Sequence, residues 1–221
     1  MNVEIFPSVA KGEIHPPPSK SCAHRLLICA ALSDGASKIS NIGSNDDILA
    51  TIACLKNSGA QIDINGDIAT VKGIDISKKL KTLQLNCNES GSTLRFFIPL
   101  SLILSEETVF YGSDRLLSRP QSVYEAIFKE QGCFIENNGK QLKTAGELKH
   151  GVFKMRGDVS SQFLTGLLFA LPLLTGDSEI VLTTPLESAP YVDITIDVLS
   201  KFGVSVERKS ESSFYIKGNQ K

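Results

Sequence analysis

The sequence predicts an α/β protein built from three consecutive copies of one βαβαββ unit. Three features recur about every 70 residues: a strongly apolar helix that starts at serine, an amphipathic helix that stops at glycine, and a hairpin. Internal repetition at a fixed period indicates that each copy is one structural unit packed against its neighbours. We therefore expect three buried helices at the centre of a lobe, surrounded by sheets and outer helices.

The buried helices are predicted from apolar runs that begin next to serine. Ser21, Ser92 and Ser161 lie 71 and 69 residues apart, and each opens a segment with apolar residues on most of its circumference. A helix without a polar face must be covered on all sides. These three helices are therefore expected in the interior.

The outer helices and hairpins are predicted from glycines that follow amphipathic segments. Gly59, Gly132 and Gly203 are separated by 73 and 71 residues, and each suits the left-handed position just past a helix end. Alternating apolar residues follow each glycine, as in a half-buried strand pair. Two of the hairpins turn at Asn65–Gly66 and Asn138–Gly139, a strong hairpin signal. The three units are predicted at residues 13–73, 74–146 and 147–218, within one lobe that spans residues 13–221.

The composition is that of a globular protein and excludes several classes of partner. A net charge of −1 gives no general attraction to nucleic acid or to a membrane surface. Five cysteines without a CxxC pair indicate reduced thiols, and no secretory signal opens the sequence, so a cytoplasmic protein is expected. No metal-ligand spacing, dinucleotide loop or Walker loop occurs, so neither a metal nor a cofactor is predicted.

The repeated helix starts predict a binding site for a polyanionic small molecule. A helix N-terminus exposes unpaired backbone N–H groups and the positive end of the helix dipole, which favour phosphate or carboxylate. Lys20 and Arg25 lie in the first turns of the first apolar helix, where a cation is unfavourable unless an anion lies between them. Approximate threefold symmetry would bring the three starts together at one end of the lobe. Other basic residues lie near further helix starts: Arg95, Arg115 and Arg119.

Plain N-capping is the competing interpretation for each of these polar residues. Serine and aspartate at a helix start most often cap it, each contributing about 1 kcal/mol. Ser44 and the pair Asp46–Asp47 are interpreted as caps, and Arg95 as a support for the loop before its helix.

Three of the helix starts carry motifs similar to those of the EPSP synthase family. Residues 18–25 (PSKSCAHR) resemble the family's P-x-S-K-S-x-x-x-R segment, residues 90–95 (SGSTLR) its N-A-G-T-x-x-R loop, and residues 157–164 (GDVSSQFL) its G-x-x-S-S-Q-F-L segment. Residues 115–120 and 188–195 extend the resemblance, which covers essentially the whole chain in order. Two positions depart from the pattern: Pro18 stands where many members have Gly, and Glu89 where many have Asn.

The resemblance implies an enolpyruvyl-transferase-like lobe that works without metal or cofactor. Members of the family transfer the enolpyruvyl group of phosphoenolpyruvate to the 5-hydroxyl of shikimate 3-phosphate and release phosphate. It implies that this chain is the amino-terminal half, that a carboxy-terminal lobe supplies the acid–base carboxylates, and that residues 1–12 pair with that lobe. We expect the isolated chain to bind substrate weakly without turnover, and the full enzyme to be a monomer.

The resemblance also implies roles for individual residues. Lys20 would lie between both substrates and act in catalysis by neutralising phosphate charge. Gly91 and Arg119 would bind phosphoenolpyruvate together with Lys20 and Gln162. The residues implied for shikimate 3-phosphate are Lys20, Ser21, Arg25, Ser160, Ser161, Gln162, Ser188 and Tyr191.

Two alternatives remain at this stage. A UDP-N-acetylglucosamine enolpyruvyl transferase shares the fold and chemistry, but it usually has Lys-Asn where this chain has Lys20-Ser21, and a cysteine in a loop that has none here. The second alternative is a non-catalytic phosphate-binding module, because the chain as given carries no complete acid–base set.

Overall fold

The computed structural model describes residues 3–4, 6–7, 9, 11–14 and 16–221. Within these residues the chain alternates between helices and short strands, as the sequence predicts. No helix in the described part of the chain is both long enough and apolar enough to cross a membrane. The helices are α1 (Lys20–Leu32), α2 (Asp46–Asn57), α3 (Gly91–Leu104), α4 (Asp114–Leu117), α5 (Ser122–Gln131), α6 (Ser161–Ala170), which continues into a 3-10 turn at Leu171–Leu173, and α7 (Ala189–Lys201).

The strands form three separate sheets, one for each predicted unit. The strands are β1 (Ala36–Ile39), β2 (Gln61–Asn65), β3 (Ile68–Lys72), β4 (Leu80–Asn86), β5 (Ser105–Tyr111), β6 (Phe134–Asn137), β7 (Leu142–Ala145), β8 (Val152–Met155), β9 (Ser178–Leu182), β10 (Val206–Arg208) and β11 (Ser213–Ile216). Their orders are β1-β3-β2, β4-β5-β7-β6 and β8-β9-β11-β10. The pairs β4–β5 and β8–β9 are parallel and all the others are antiparallel.

The first unit differs from the prediction because it lacks the opening strand among the described residues. The second and third units begin with β4 and β8, which pair with β5 and β9, whereas no described strand pairs with the corresponding edge of β1. The segment before α1 contains three prolines, Pro16, Pro17 and Pro18, which have no backbone N–H for a strand ladder. Part of the predicted segment 1–12, namely residues 1, 2, 5, 8 and 10, lies outside the described residues, so its pairing with another lobe stays a prediction.

The three apolar helices form the core, as expected. The residues of α1, α3 and α6 are mostly buried, and all three belong to one continuous apolar cluster to which every sheet and outer helix contributes. In each case the serine just before the helix caps it: the hydroxyls of Ser19, Ser90 and Ser160 accept hydrogen bonds from backbone N–H groups of the first turn. The serines that recur at the helix starts therefore cap and stabilise the N-termini of the three inner helices.

The three glycines that follow the outer helices adopt the left-handed backbone that the sequence predicted. Gly59, Gly132 and Gly203 have φ angles of 107°, 69° and 80°, a region that costs other residues steric strain. The first hairpin turns at Gly66, with φ 62°, and places Ile62 opposite Val71 on the buried face. The recurring helix–glycine–hairpin pattern thus reflects the same backbone path in each unit.

Candidate anion-binding site

The N-termini of four helices line one cavity of about 310 Å³. The first turns of α1, α3 and α6 contribute to it, together with the start of the outer helix α7. Threefold symmetry predicted that the inner helix starts would meet at one end of the lobe, and they do. The lining residues are Lys20, Ser21, Arg25, Ser92, Phe96, Ser160, Ser161, Gln162, Ser188 and Tyr191.

Lys20 is the cation nearest to solvent in this cavity. Its Nζ lies 2.6 Å from Asp47 Oδ2, and its side chain is half exposed. The interpretation of Asp47 as a helix cap is wrong, because Asn45 caps α2 with a hydrogen bond from the Ile48 N–H. Asp47 instead forms an ion pair with Lys20 from the neighbouring helix. An incoming anion would compete with this carboxylate for the ammonium group.

Arg25 is held rigidly at the wall of the cavity. Its Nε donates to Thr195 Oγ1 at 2.7 Å, its Nη1 to Ser21 O at 2.7 Å, and its Nη2 to Tyr191 O at 3.1 Å and Thr165 Oγ1 at 3.4 Å. Burial lowers the pKa of the guanidinium to about 10, so it remains charged at neutral pH. A guanidinium has five N–H donors, and the described residues accept hydrogen bonds from four of them. One N–H is therefore left for a ligand.

Three serines of the cavity are not explained by helix capping. Among the described residues, no side-chain hydrogen bond involves the hydroxyl of Ser21, Ser161 or Ser188. Ser188 precedes α7 with φ 59°, a left-handed backbone that is rare for serine and often occurs at functional sites. These hydroxyls are available to a ligand, in contrast to the capping hydroxyl of Ser160.

Gly91 and Arg119 lie beside one another at the start of α3. A Cβ added to Gly91 would lie 2.6 Å from Arg119 Nη1 and 4.0 Å from Gln162 Oε1. Only a glycine lets the guanidinium approach this backbone so closely. Arg115, by contrast, is exposed on α4 and is not part of the cavity wall. The structure thus brings Gly91 and Arg119 close to Gln162, which lines the cavity.

Gln162 lies between the corner formed by Gly91 and Arg119 and the rest of the site. Its Oε1 accepts a hydrogen bond from Arg95 Nη1 at 2.8 Å, and its Nε2 donates to Ser92 Oγ at 2.9 Å. The interpretation of Arg95 as a support for the loop before its helix is therefore wrong, since its side chain crosses from α3 to α6.

The comparisons with known proteins identify the family. A family model described as EPSP synthase (3-phosphoshikimate 1-carboxyvinyltransferase) matches residues 7–221.

The chain belongs to the EPSP synthase family.

Curated members of the family give the same result. The chain is 50% identical over 220 residues to a 3-phosphoshikimate 1-carboxyvinyltransferase of Clostridium kluyveri, and the match covers 99% of this chain and 51% of that protein. It is 48% identical over 223 residues to the enzyme of that name from Clostridium botulinum, covering 98% of this chain and 52% of the relative. The chain therefore spans about half the length of the curated relatives that it matches.

Solved structures show the same fold. An EPSP synthase from Acinetobacter baumannii superposes with a TM-score of 0.76 at 22% identity, covering 95% of this chain and 47% of the other. The enolpyruvyl transferase NikO from Streptomyces tendae superposes with a TM-score of 0.61 at 15% identity, covering 95% of this chain and 49% of the other. The predicted enolpyruvyl-transferase-like lobe is confirmed as a fold.

The sequence assigned no substrate-binding role to four residues in or beside the cavity: Ser92 and Phe96, which line it, and Asp47 and Arg95, which bond to its lining residues. Ser92 and Arg95 gave a usable signal, because they lie in the family's second motif and Arg95 is the one charged residue of α3. Phe96 gave no signal within an apolar helix. Glu89, which departs from the family pattern, is exposed and lines a separate cavity with Asn86, Asn88 and Tyr111.

Proposed function

We propose that this chain is the amino-terminal, substrate-binding half of an enzyme that transfers the enolpyruvyl group of phosphoenolpyruvate to the 5-hydroxyl of shikimate 3-phosphate. Membership of the EPSP synthase family and the names of its curated relatives support this activity. The observation that carries the proposal for the chain itself is the cavity, where Lys20 and Arg25 meet the positive ends of several helices. A phosphorylated substrate is the ligand for which this charge arrangement is favourable.

The proposed roles follow the positions in the cavity. Arg25, with its single spare N–H, and the uncapped hydroxyls of Ser21, Ser161 and Ser188 bind shikimate 3-phosphate. Phosphoenolpyruvate lies at the corner formed by Gly91 and Arg119. Ser160, Gln162 and Tyr191 complete the shikimate 3-phosphate site, and Gln162 also contacts phosphoenolpyruvate.

Lys20 is proposed as the catalytic residue of this half because its half-exposed ammonium group lines the cavity. In the first step the 5-hydroxyl gives up its proton as its oxygen bonds to C2 of phosphoenolpyruvate, while the C2–C3 double bond opens and C3 takes up a proton, which gives a tetrahedral ketal. In the second step C3 loses a proton and the bond from C2 to the phosphate oxygen breaks, releasing inorganic phosphate. A fixed ammonium group stabilises the negative charge of the phosphate throughout.

The remaining parts of the enzyme are also part of the proposal. Residues 13–221 form the binding lobe, and residues 1–12 pack against a carboxy-terminal lobe that supplies the acid–base groups. The complete enzyme acts as a monomer in the cytoplasm. The coverage of about half of each curated relative supports the second lobe.

Calorimetric titration of the 221-residue chain tests the proposal. We expect saturable binding of shikimate 3-phosphate, no binding of UDP-N-acetylglucosamine, and no steady release of phosphate when phosphoenolpyruvate is added. The variants Ser161→Ala and Ser188→Ala should each weaken binding about tenfold, as for loss of one hydrogen bond to a charged group. Ser200→Ala, on the exposed face of α7, is the matched control and should bind like the parent chain.

Each other outcome contradicts a defined part of the proposal. Binding of the nucleotide sugar in place of shikimate 3-phosphate would assign the chain to the other class of enolpyruvyl transferase. Steady phosphate release would show that no second lobe is required. Equal binding by Ser161→Ala and Ser200→Ala would show that the site lies elsewhere.

A further inference from the structure

Arg95 reaches the candidate site only through another side chain. It lies one turn after Gly91 on α3, and its Nη1 donates to Gln162 Oε1 at 2.8 Å across the contact with α6. Its guanidinium carbon lies 4.6 Å from the centre of the Phe163 ring, and its Nε is buried without a partner among the described residues. Arg95 is absent from the wall of the cavity, whereas Gln162 is part of it.

The chemistry of the two groups fixes the orientation of the Gln162 amide. A guanidinium has only donors, whereas an amide has one accepting end and one donating end. With Oε1 toward Arg95, the pair forms a charge-assisted hydrogen bond, which is stronger than a neutral one. A flipped amide would place its NH₂ group against the guanidinium, so that two donors would face each other. Arg95 therefore selects a single orientation of an amide whose two ends are otherwise similar in shape.

This orientation sets the direction of the hydrogen bonds that follow. Gln162 Nε2 donates one hydrogen to Ser92 Oγ at 2.9 Å, which leaves its second N–H for the cavity. Ser92 Oγ accepts this hydrogen bond, so the hydrogen of the Ser92 hydroxyl is available for donation. No described residue accepts a hydrogen bond from that hydroxyl. Both groups therefore present donors to the cavity, as an anionic ligand requires.

We propose that Arg95 is a positioning residue that fixes Gln162 and Ser92 as hydrogen-bond donors to the anionic ligand. The inference rests on the proposed function for the identity of that ligand. It adds to that function a residue that touches neither substrate. Arg95 acts by fixing which end of the Gln162 side-chain amide faces the ligand. The hydrogen bonds are donated in one direction: from Arg95 to Gln162, from Gln162 to Ser92, and from Ser92 to the ligand.

The packing around Arg95 fixes the position of α3 against α6, and so the position of Arg95 beside Gln162. The Tyr124 hydroxyl donates to Arg95 O at 2.7 Å and lies 3.0 Å from Phe163 O, so it joins the backbones of α3 and α6. Gly166 lets the two helices approach, because a Cβ there would lie 2.6 Å from Arg95 O. The two helices therefore deliver Arg95 and Gln162 to each other in a fixed geometry.

A double-mutant cycle tests the inference with shikimate 3-phosphate as the probe. We expect Arg95→Met and Gln162→Ala each to weaken binding by about tenfold or more. The double variant should bind as weakly as Gln162→Ala alone, because Arg95 has nothing to orient once the amide is gone. Arg95→Lys retains a donor and should recover part of the loss. Arg115→Met, at an exposed arginine, is the matched control and should bind like the parent chain.

Multiplicative losses in the double variant would overturn the inference, since they would mean that Arg95 acts on the ligand or the fold independently of Gln162. A ligand-free readout separates this result from failure of the proposed function. We expect the side-chain NH₂ hydrogens of Gln162 to exchange slowly with solvent in the NMR spectrum of the parent chain, and to exchange faster, with shifted signals, in Arg95→Met but not in Arg115→Met. Unchanged Gln162 signals in Arg95→Met would reject the inference even if the parent chain binds another ligand.

Discussion

At the scale of single residues, a buried row of polar side chains supports the start of α3. His24 Nδ1 lies 2.7 Å from Thr51 Oγ1, which lies 2.7 Å from Thr93 Oγ1, and Thr93 lies 2.7 Å from Ser90 Oγ. His24 is buried, and its Nε2 has no partner among the described residues. If the imidazole donates from Nδ1, every hydroxyl in the row can donate onward to the next. The row therefore links α1, α2 and α3.

The burial of His24 makes the stability of the fold depend on pH. Burial lowers the pKa of the imidazole from 6.5 to about 4, so the folded chain favours the neutral form. The stabilisation is fully present above pH 6.5 and is lost as the pH falls toward 4, by about 3 kcal/mol in total. We expect denaturant unfolding between pH 7 and 4.5 to show this loss, and His24→Gln to remove most of the slope. His150→Gln is the control, and an unchanged slope in His24→Gln would assign the effect to other groups.

At the scale of elements, the contact between α3 and α6 depends on one residue without a side chain. Gly166 faces both the Arg95 carbonyl and the Tyr124 hydroxyl, and a Cβ at this position would overlap with both. This contact sets the distance over which Arg95 reaches Gln162. Helix spacing and the geometry of the site are therefore determined by the same glycine.

Gly166→Ala should destabilise the chain by about 1 to 3 kcal/mol, the usual cost of overpacking a core. Tyr124→Phe removes the hydroxyl, which is the nearest of the three groups that the new methyl would meet, so the double variant should be more stable than the sum of the single effects predicts. Thermal or denaturant unfolding of the three variants measures this coupling. Simple additivity would mean that the backbone of α3, and not the tyrosine hydroxyl, limits the approach.

The elements that local patterns specify were predictable, and those that require distant partners were not. Apolar periodicity and the three glycine stops located the inner and outer helices, because both signals act within a few residues. The partnership of Asp47 with Lys20 spans 27 residues, and that of Arg95 with Gln162 spans 67. The repeat predicted an opening strand in the first unit, but no such strand occurs among the described residues, where three consecutive prolines oppose it. Most of the cavity was predicted because its residues belong to helix starts.

At the scale of the whole molecule, the three units share one core and one site. The apolar cluster runs through all three units, and the cavity takes residues from each of them: Lys20 from the first, Ser92 from the second and Ser161 from the third. A unit removed from this arrangement would expose one face of its inner helix. The repeats are therefore parts of a single cooperative structure.

This shared core predicts a single unfolding transition despite the repeated sequence. We expect far-ultraviolet circular dichroism and tyrosine fluorescence to give the same unfolding curve when the chain is titrated with guanidinium chloride, as in two-state unfolding. The chain has four tyrosines and no tryptophan, and the buried Tyr124 reports on the α3–α6 contact. Two separated transitions would show that one unit unfolds independently.

One edge of β1 has no partner among the described strands, and this has a consequence for how the protein behaves in concentrated solution. An unpaired strand edge is a template for another chain, and a charged side chain on it opposes such pairing. Lys38 is exposed in the middle of β1 and supplies this charge. Lys38→Val should therefore raise light scattering at high concentration, while Lys140→Val, in a hairpin loop, should not. We therefore expect the solubility of this lobe to depend on Lys38, at the one sheet whose described strands number three instead of four.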